Sequence, residues 1–357
     1  MKKSIRKQEK DPSKIRIGVI GLGMGVAHIE GYLKHPAAEI AAIADVDATR
    51  LQAVGDKYNI SGRYADAAEM LRRESLDVVS VATPNVFHKP LTVQALQAGC
   101  HVLCEKPMAM SAREARDMLA AARKARKRIM INFSFRFTEQ SWALKQQVES
   151  GILGDIYFGR TIWLRRRGMP HFGGWFGQKA KSGGGPLIDL GVHRLDLALW
   201  LMGYPKPVWV MGSTYNPIAS RLARAQGKSY DVEDLAVGMI KFDNGATLEV
   251  EASWAANIKE NECMETRLCG TQGGLVQRNV NEGYTFEAEM YVERGGCQFD
   301  MKLHPPVPAA RCAMVHFLDC ILSGQPHVAT GEEGLIVMEL LDALYASARS
   351  GRPIKLA

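Results

Sequence analysis

Apolar positions along the chain follow two rhythms, and the change between them falls near residue 133. Before it, short apolar runs at 15–20, 39–44, 77–82, 101–104 and 129–133 predict strands. Between them, apolar residues recurring at helical spacing predict helices over 25–34, 48–58, 66–73, 89–98 and 112–127. Ser111, with Glu114 three residues on, forms a capping box that starts the last of these. Continuously apolar strands alternating with helices predict a parallel sheet covered on both faces, an α/β fold.

After residue 134 a helix over 139–150 leads to a strand over 155–165, a glycine-rich segment and a helix over 186–202. Leu235–Phe242 and Ala246–Trp254 flank Asp243-Asn244-Gly245, and Asn-Gly is a strong hairpin signal. The second of these strands alternates Thr247, Glu249 and Glu251 with Leu248, Val250, Ala252 and Trp254, so one face is apolar. Two helices follow between Ala313 and Ser350, broken at Gly324-Gln325-Pro326. This half reads as an α+β domain with an antiparallel sheet. The expected organisation is a basic, disordered tail over 1–14, a first domain over 15–133 and a second over 134–357.

A length of 357 residues is too great for one core and fits two domains. Apolar content of 46% and charged content of 23% are those of a water-soluble globular protein. No apolar run approaches the roughly 20 residues that span a bilayer, so no membrane partner is expected. The basic N-terminus lacks the apolar stretch of a secretory signal, and the seven cysteines include no Cys-x-x-Cys pair. Reduced thiols, a cytoplasmic location and no metal site are the expectation. The net charge of +7 is concentrated in the tail and in Arg123–Arg128 at a helix end, where cations complement the helix dipole. No aromatic-interleaved basic stripe accompanies it, which argues against nucleic acid.

The first candidate chemistry is Gly21-Leu22-Gly23-Met24-Gly25, placed directly between a strand and a helix. Such a turn must be tight, and its backbone N–H groups must reach a pyrophosphate at the helix N-terminus. The third glycine comes four residues after the first, one fewer than in the common fingerprint. Asp45 ends the second strand, where a carboxylate accepts hydrogen bonds from ribose hydroxyls and favours NAD over a 2′-phosphate. Arg50, a turn into the next helix, is the counter-signal that leaves NADP open. Strand, glycines, helix and acid in order outweigh the alternative of a ligand-free turn.

The second candidate is split. Glu105-Lys106-Pro107 ends the strand 101–104, at the carboxyl edge where parallel sheets place ligands. Ser182-Gly183-Gly184-Gly185-Pro186 precedes a helix on which Asp189 and His193 are four apart, on one face that Asp196 extends. A carboxylate one turn from an imidazole orients it and holds its pKa near neutrality, as a general base needs. An ordinary polar pair, or a metal held by Asp189, His193 and Asp196, are the competing readings.

The glycine loop, Asp45, Thr83-Pro84-Asn85 with His88, Glu105-Lys106-Pro107, Asn132 with Arg136-Phe137, and the Gly183–Gly185, Asp189, His193, Asp196 set occur in that order. Together they resemble the glucose–fructose oxidoreductase / inositol dehydrogenase / rhizopine catabolism (Gfo/Idh/MocA) family, over about residues 15–355. The resemblance implies an N-terminal Rossmann domain, doubly wound around its parallel sheet. It implies a C-terminal α+β domain whose large, open, mostly antiparallel sheet forms homodimer or homotetramer contacts. It further implies that Lys106, Asp189 and His193 line the substrate site. Gly21, Gly23, Met24, Gly25, Asp45, Thr83, Pro84, Asn85, His88, Glu105 and Lys106 are then the candidates for holding NAD.

On that footing the catalytic set is Lys106, Asp189 and His193. His193 takes a hydroxyl proton as hydride leaves for nicotinamide, Lys106 stabilises the oxygen and Asp189 stabilises the histidinium; which of His193 and Lys106 is the base stays open. Family members mostly oxidise a secondary hydroxyl of a sugar, sugar derivative or cyclitol, and that is the expected activity. Trp163 to His171 leads to Trp175 and the glycine-rich helix start, so Arg165, Arg167, His171 and Trp175, with Arg136, are candidates for contacting substrate. Period-2 geometry puts Arg165 and Arg167 on one face with Trp163 and Arg166 opposite. Two alternatives accompany the dehydrogenase: an NAD-dependent glycosidase with a closed redox cycle, and a non-catalytic cofactor-binding sensor.

Overall fold

The computed structural model describes residues 13–304 and 312–356; most of the N-terminal tail lies outside the described residues. The first unit comprises β1 (Ile15–Ile20), α1 (Gly25–Tyr32), β2 (Ala38–Ala44), α2 (Ala48–Lys57), β3 (Gly62–Tyr64), α3 (Ala67–Arg73), β4 (Val78–Val81), α4 (His88–Gln97), β5 (His101–Cys104), α5 (Ala112–Ala125) and β6 (Ile129–Ile131). The strands form one parallel sheet in the order β3-β2-β1-β4-β5-β6, the doubly wound Rossmann order. Every residue of β1 is buried, as a strand covered on both faces must be. The strand order reverses between β1 and β4, so the loops after these two strands flank the crevice where such sheets bind ligands. The short β3 had no apolar run to announce it. The capping box forms with a shift: Glu114 N–H bonds Ser111 Oγ, while the Glu114 carboxylate reaches back to Met110 N–H.

The second unit carries α6 (Glu139–Glu149), β7 (Ile156–Arg165), α7 (Lys179–Ser182), α8 (Val192–Met202), β8 (Pro207–Tyr215), α9 (Pro217–Ala225), β9 (Leu235–Phe242), β10 (Thr247–Ser253), β11 (Glu262–Gly270), β12 (Gly273–Val280), β13 (Thr285–Arg294) and β14 (Cys297–Lys302). The chain continues through α10 (Ala313–Ser323) and α11 (Gly331–Ser350) to β15 (Ile354–Lys355). Nine strands pair in the order β14-β13-β12-β11-β7-β10-β9-β8-β15. The sheet is mixed, because β7 and β10 run parallel at its centre while the other neighbours are antiparallel.

The predicted hairpin is β9–β10, turned by Asp243-Asn244-Gly245 with Gly245 at φ +87°. Leu248, Val250, Ala252 and Trp254 are all fully buried, as the alternation required. α8 packs on β7 and β11, and Leu195, Leu197, Leu199 and Leu201 are fully enclosed. Each such leucine contributes roughly 1.5–3 kcal/mol, so the helix is a firm mount for the side chains at its start.

The division between units does not follow the single cut near residue 133 expected from the sequence. The first unit takes back the segment ending at Leu335, which contains α10 and the start of α11, while the chain from Ile336 belongs to the second. The reason is visible in the contacts of the returning segment: Arg128 bonds the carbonyls of Cys320 and Gly324, and Ala329 O accepts from Ile131 N beside β6. Among the described residues no helix is long and apolar enough to cross a membrane.

Candidate functional site

In the first unit the loop after β1 keeps the three glycine roles despite its shortened spacing. Gly21 has φ +85°, and a Cβ there would meet the Ala82 carbonyl at 2.6 Å, so the tight turn excludes a side chain. Around Gly23 there is open space, as close approach of a ligand demands. A Cβ on Gly25 would press on Val19 at 2.8 Å, so this glycine lets α1 pack onto β1. Met24 is exposed beside the loop. On the other side of the crevice, Thr83 Oγ1 is buried with no hydrogen-bond partner among the described residues. An open glycine, a loop backed by a helix start and a buried hydroxyl awaiting a partner fit a dinucleotide pyrophosphate.

Asp45 is buried at the end of β2, and its carboxylate does two jobs already. Oδ2 accepts from Leu22 N–H at 2.7 Å and lies 3.2 Å from Arg50 Nε, while Oδ1 accepts from Asp47 N–H at 2.8 Å. Asp45 therefore orders the glycine loop. Arg50 is not held apart: Asp47 caps α2 and draws the Arg50 side chain back to the acid.

Glu105 and His88 are placed differently from what the sequence suggests. Glu105 Oε1 meets His28 Nε2 and Asn132 Nδ2, each at 2.7 Å, and Oε2 accepts from Lys106 N–H at 3.1 Å. Burial raises its pKa, but His28, Asn132 and the Lys106 charge outweigh that and hold it at about 2. Behind it, His28 Nδ1 meets Ser80 Oγ, which Tyr32 also engages. Glu105 is thus tied into the interior of the sheet and steadies the Lys106 backbone. His88, 1% exposed, spans the Pro107 carbonyl at 2.7 Å and the Thr83 carbonyl at 2.8 Å. Burial lowers its pKa, so the neutral ring donates to one of these two carbonyls while packing between the loop after β4 and the one after β5. Pro84 precedes a single 3-10 turn in which Asn85 is buried. Lys106 is half-buried at the carboxyl end of β5, before a cis bond to Pro107.

In the second unit the helix carrying Asp189 and His193 opens with a π-helical turn, Leu187–Gly191, before α8 proper. Such turns concentrate at functional sites, because the widened turn re-aims side chains. Asp189 Oδ2 accepts from Trp254 Nε1 at 3.1 Å. The His193 ring lies 5.0 Å from Phe135 and 5.6 Å from Trp163, a wall of aromatic edges. The start of this helix is held by a carboxylate that local sequence does not announce. Glu233 accepts from Gly185 N–H at 2.9 Å, Leu187 N–H at 3.1 Å and Tyr345 O–H at 2.8 Å. Burial pushes its carboxyl pKa up against these hydrogen bonds. The glycine triplet follows from this clamp: a Cβ on Gly184 would sit 2.1 Å from Tyr345 Oη, and one on Gly185 2.1 Å from the Glu233 carbonyl.

Asp196 and Arg136 are corrected by the structure. Neither side chain is accessible, and they form a two-pronged ion pair, Nε–Oδ2 2.8 Å and Nη2–Oδ1 2.5 Å, closed by Tyr204. Asp196 turns inward, so it neither extends the Asp189–His193 face nor joins them on a metal, and Arg136 is not free for substrate. β7 ends at Arg165, so strand periodicity does not carry to Arg167, which bonds the Ala256 carbonyl and Asn257. Arg165 instead pairs with Glu262 at 2.7 Å. His171 is exposed, and Trp175 stacks on Phe176 at 3.8 Å. His28, Glu233, Trp254 and Glu262, which hold the candidate residues in place, were not singled out from sequence. Trp254 alone had a signal, the last apolar position of its hairpin strand.

The family model described as an oxidoreductase family with an NAD-binding Rossmann fold matches residues 15–133, and that of the GFO/IDH/MocA C-terminal domain matches residues 142–276. The D-glucoside 3-dehydrogenase of Escherichia coli is 35% identical over 355 residues, covering 96% of this chain and 98% of that protein. The crystal structure of an aldose-aldose oxidoreductase from Caulobacter crescentus, complexed with glycerol, superposes with a TM-score of 0.81 at 28% identity, covering 96% of this chain and 100% of that one. An oxidoreductase from Agrobacterium radiobacter, in complex with NAD+, L-tartaric acid and magnesium, gives a TM-score of 0.77 at 26% identity, covering 96% and 98%.

Proposed function

The chain belongs to the Gfo/Idh/MocA family of NAD-binding oxidoreductases, and from that premise we propose that it oxidises a secondary hydroxyl of a sugar, sugar derivative or cyclitol. The observation that carries the proposal is the placement of Asp189 and His193 at a clamped helix start, with the imidazole set against Phe135 and Trp163. NAD, when bound, supplies the hydride acceptor, and the glycine loop, Asp45 and Thr83 are the residues suited to hold it. His193, partly exposed and next to an aromatic wall, takes the proton of the reacting hydroxyl. Asp189, fixed by Trp254, stabilises the resulting imidazolium. Lys106, steadied through its backbone by Glu105, contributes a positive charge to the developing alkoxide. Where Lys106 is the base, His193 holds the charge. The name of the E. coli relative supports a glycoside as substrate, and that of the C. crescentus neighbour an aldose.

The test is a panel of cyclitols, aldoses, sugar acids and glycosides assayed for NAD reduction. Lys106→Ala and His193→Ala should each abolish turnover while leaving NAD binding, followed by calorimetry, nearly intact. Turnover surviving both changes would refute the assignment.

A further inference from the structure

The aromatic wall against His193 is held by a carboxylate that also ties up an arginine. Glu262, first residue of β11, stands opposite Arg165, last residue of β7, in the antiparallel register. Its Oε1 accepts from Trp163 Nε1 and from Arg165 Nε, each at 2.7 Å, and from Tyr284 O–H at 3.2 Å. Arg165 Nη2 in turn donates to Tyr284 Oη at 2.7 Å. The guanidinium lies over the Trp163 ring, 5.4 Å from its centroid, and that same ring faces His193 at 5.6 Å. Arg165 and Glu262 are largely but not fully buried, with side-chain exposures of 23% and 15%, so the pair borders open space.

We infer that Glu262 determines specificity by neutralising Arg165, so that the site beside His193 takes an uncharged polyhydroxylated ring and rejects sugar acids and sugar phosphates. The inference rests on the function proposed above. An unpaired arginine at this position would recognise a carboxylate or phosphate through its fork of N–H donors. Here one edge of the fork is spent on Glu262 and Tyr284, and the carboxylate brings a negative charge that repels a second one. Attraction and repulsion at similar distances nearly cancel for an anionic substrate, which still loses its hydration on entry. A neutral hydroxyl loses less, and it finds a carboxylate acceptor and guanidinium donors side by side, the pattern a vicinal diol matches. The exclusion of acids is thus a repulsive element built into the fold.

Glu262→Gln tests this with little change of shape, because the amide oxygen still accepts from Trp163 and Arg165 while the negative charge is gone. The NAD-loaded full chain is titrated with methyl β-glucopyranoside and with methyl β-glucopyranosiduronate, following tryptophan fluorescence, and the same pair is assayed for NAD reduction. The wild type should bind the glucoside in preference. Glu262→Gln should move the affinity ratio toward the uronate by roughly tenfold or more, and adding Arg165→Met should cancel that gain. An unchanged ratio in a Glu262→Gln variant that melts with the wild type overturns the inference, as does a wild type that prefers the uronate or binds neither compound. Preference for the glucoside without any NAD reduction would uphold the charge selection and count against the dehydrogenase reading alone. Should Glu262→Gln fail to fold, Arg165→Met alone decides: with the Glu262 charge no longer balanced, the affinity ratio should move further toward the glucoside, and an unchanged ratio or a move toward the uronate overturns the inference.

Discussion

Asp196 is the acid that sequence spacing places with Asp189 and His193 and that the fold turns away from them, so it separates a structural from a catalytic reading. Replacing it by asparagine preserves its shape and leaves the Arg136 guanidinium, which has no exposed surface, without a counter-charge. Breaking one side of a buried ion pair costs about 3–5 kcal/mol, because the remaining charge is desolvated and uncompensated. Asparagine still accepts one hydrogen bond, which places Asp196→Asn near the lower end, at about 3 kcal/mol. For a unit of this size each kcal/mol lowers the melting temperature by about 2–4 °C, so a fall of about 10 °C is expected. The double change Arg136→Met, Asp196→Leu removes both charges and should recover most of that loss. Thermal melts of the three proteins with saturating NAD, together with turnover measured well below each melting point, complete the comparison. Turnover of Asp196→Asn should stay within a few-fold of the wild type. A variant that melts with the wild type yet loses turnover would refute the structural assignment and return Asp196 to the chemistry.

Two further outcomes follow from the same geometry. Asp45→Ala should weaken NAD binding and disorder the glycine loop, since Leu22 N–H and Arg50 both lose their acceptor; with Arg50 released, discrimination against NADP should relax, and unchanged cofactor preference in binding titrations would sink that assignment. Gly185→Ala should cost about 1–3 kcal/mol and lower turnover more than it raises the substrate KM, because the added Cβ meets a backbone carbonyl at the start of the helix carrying Asp189 and His193; a melt and a rate equal to wild type would contradict the clamp.

The elements were legible because their signals are local. A buried strand needs a short apolar run and a packed helix an apolar stripe, so the Rossmann half and the β9–β10 hairpin could be located from spacing alone. The glycines of both loops were legible too, although only the fold supplied their reasons: the Ala82 carbonyl for Gly21, Tyr345 for Gly184 and the Glu233 carbonyl for Gly185. Lys106, Asp189 and His193 could be singled out as candidates because each stands at the end of an element whose start or stop was itself readable.

What spacing left undecided is which polar side chains face a ligand and which face each other. That depends on partners far away along the chain: Arg136 on Asp196, His88 on Pro107, Trp163 on Glu262, Glu233 on Tyr345. A helix face shows that Asp196 shares a stripe with His193, but burial against Arg136 decides where its charge is spent. Strand alternation likewise groups Arg165 with Arg167, until the strand ends and only the first meets Glu262. By itself the sequence determined the fold class and the places of the glycine loop and of the helix carrying Asp189 and His193, because hydrophobic period and turn chemistry act over a few residues. The tertiary structure decided the roles of the charged groups, because a buried charge is stable only beside its partner and that partner is brought to it by the fold.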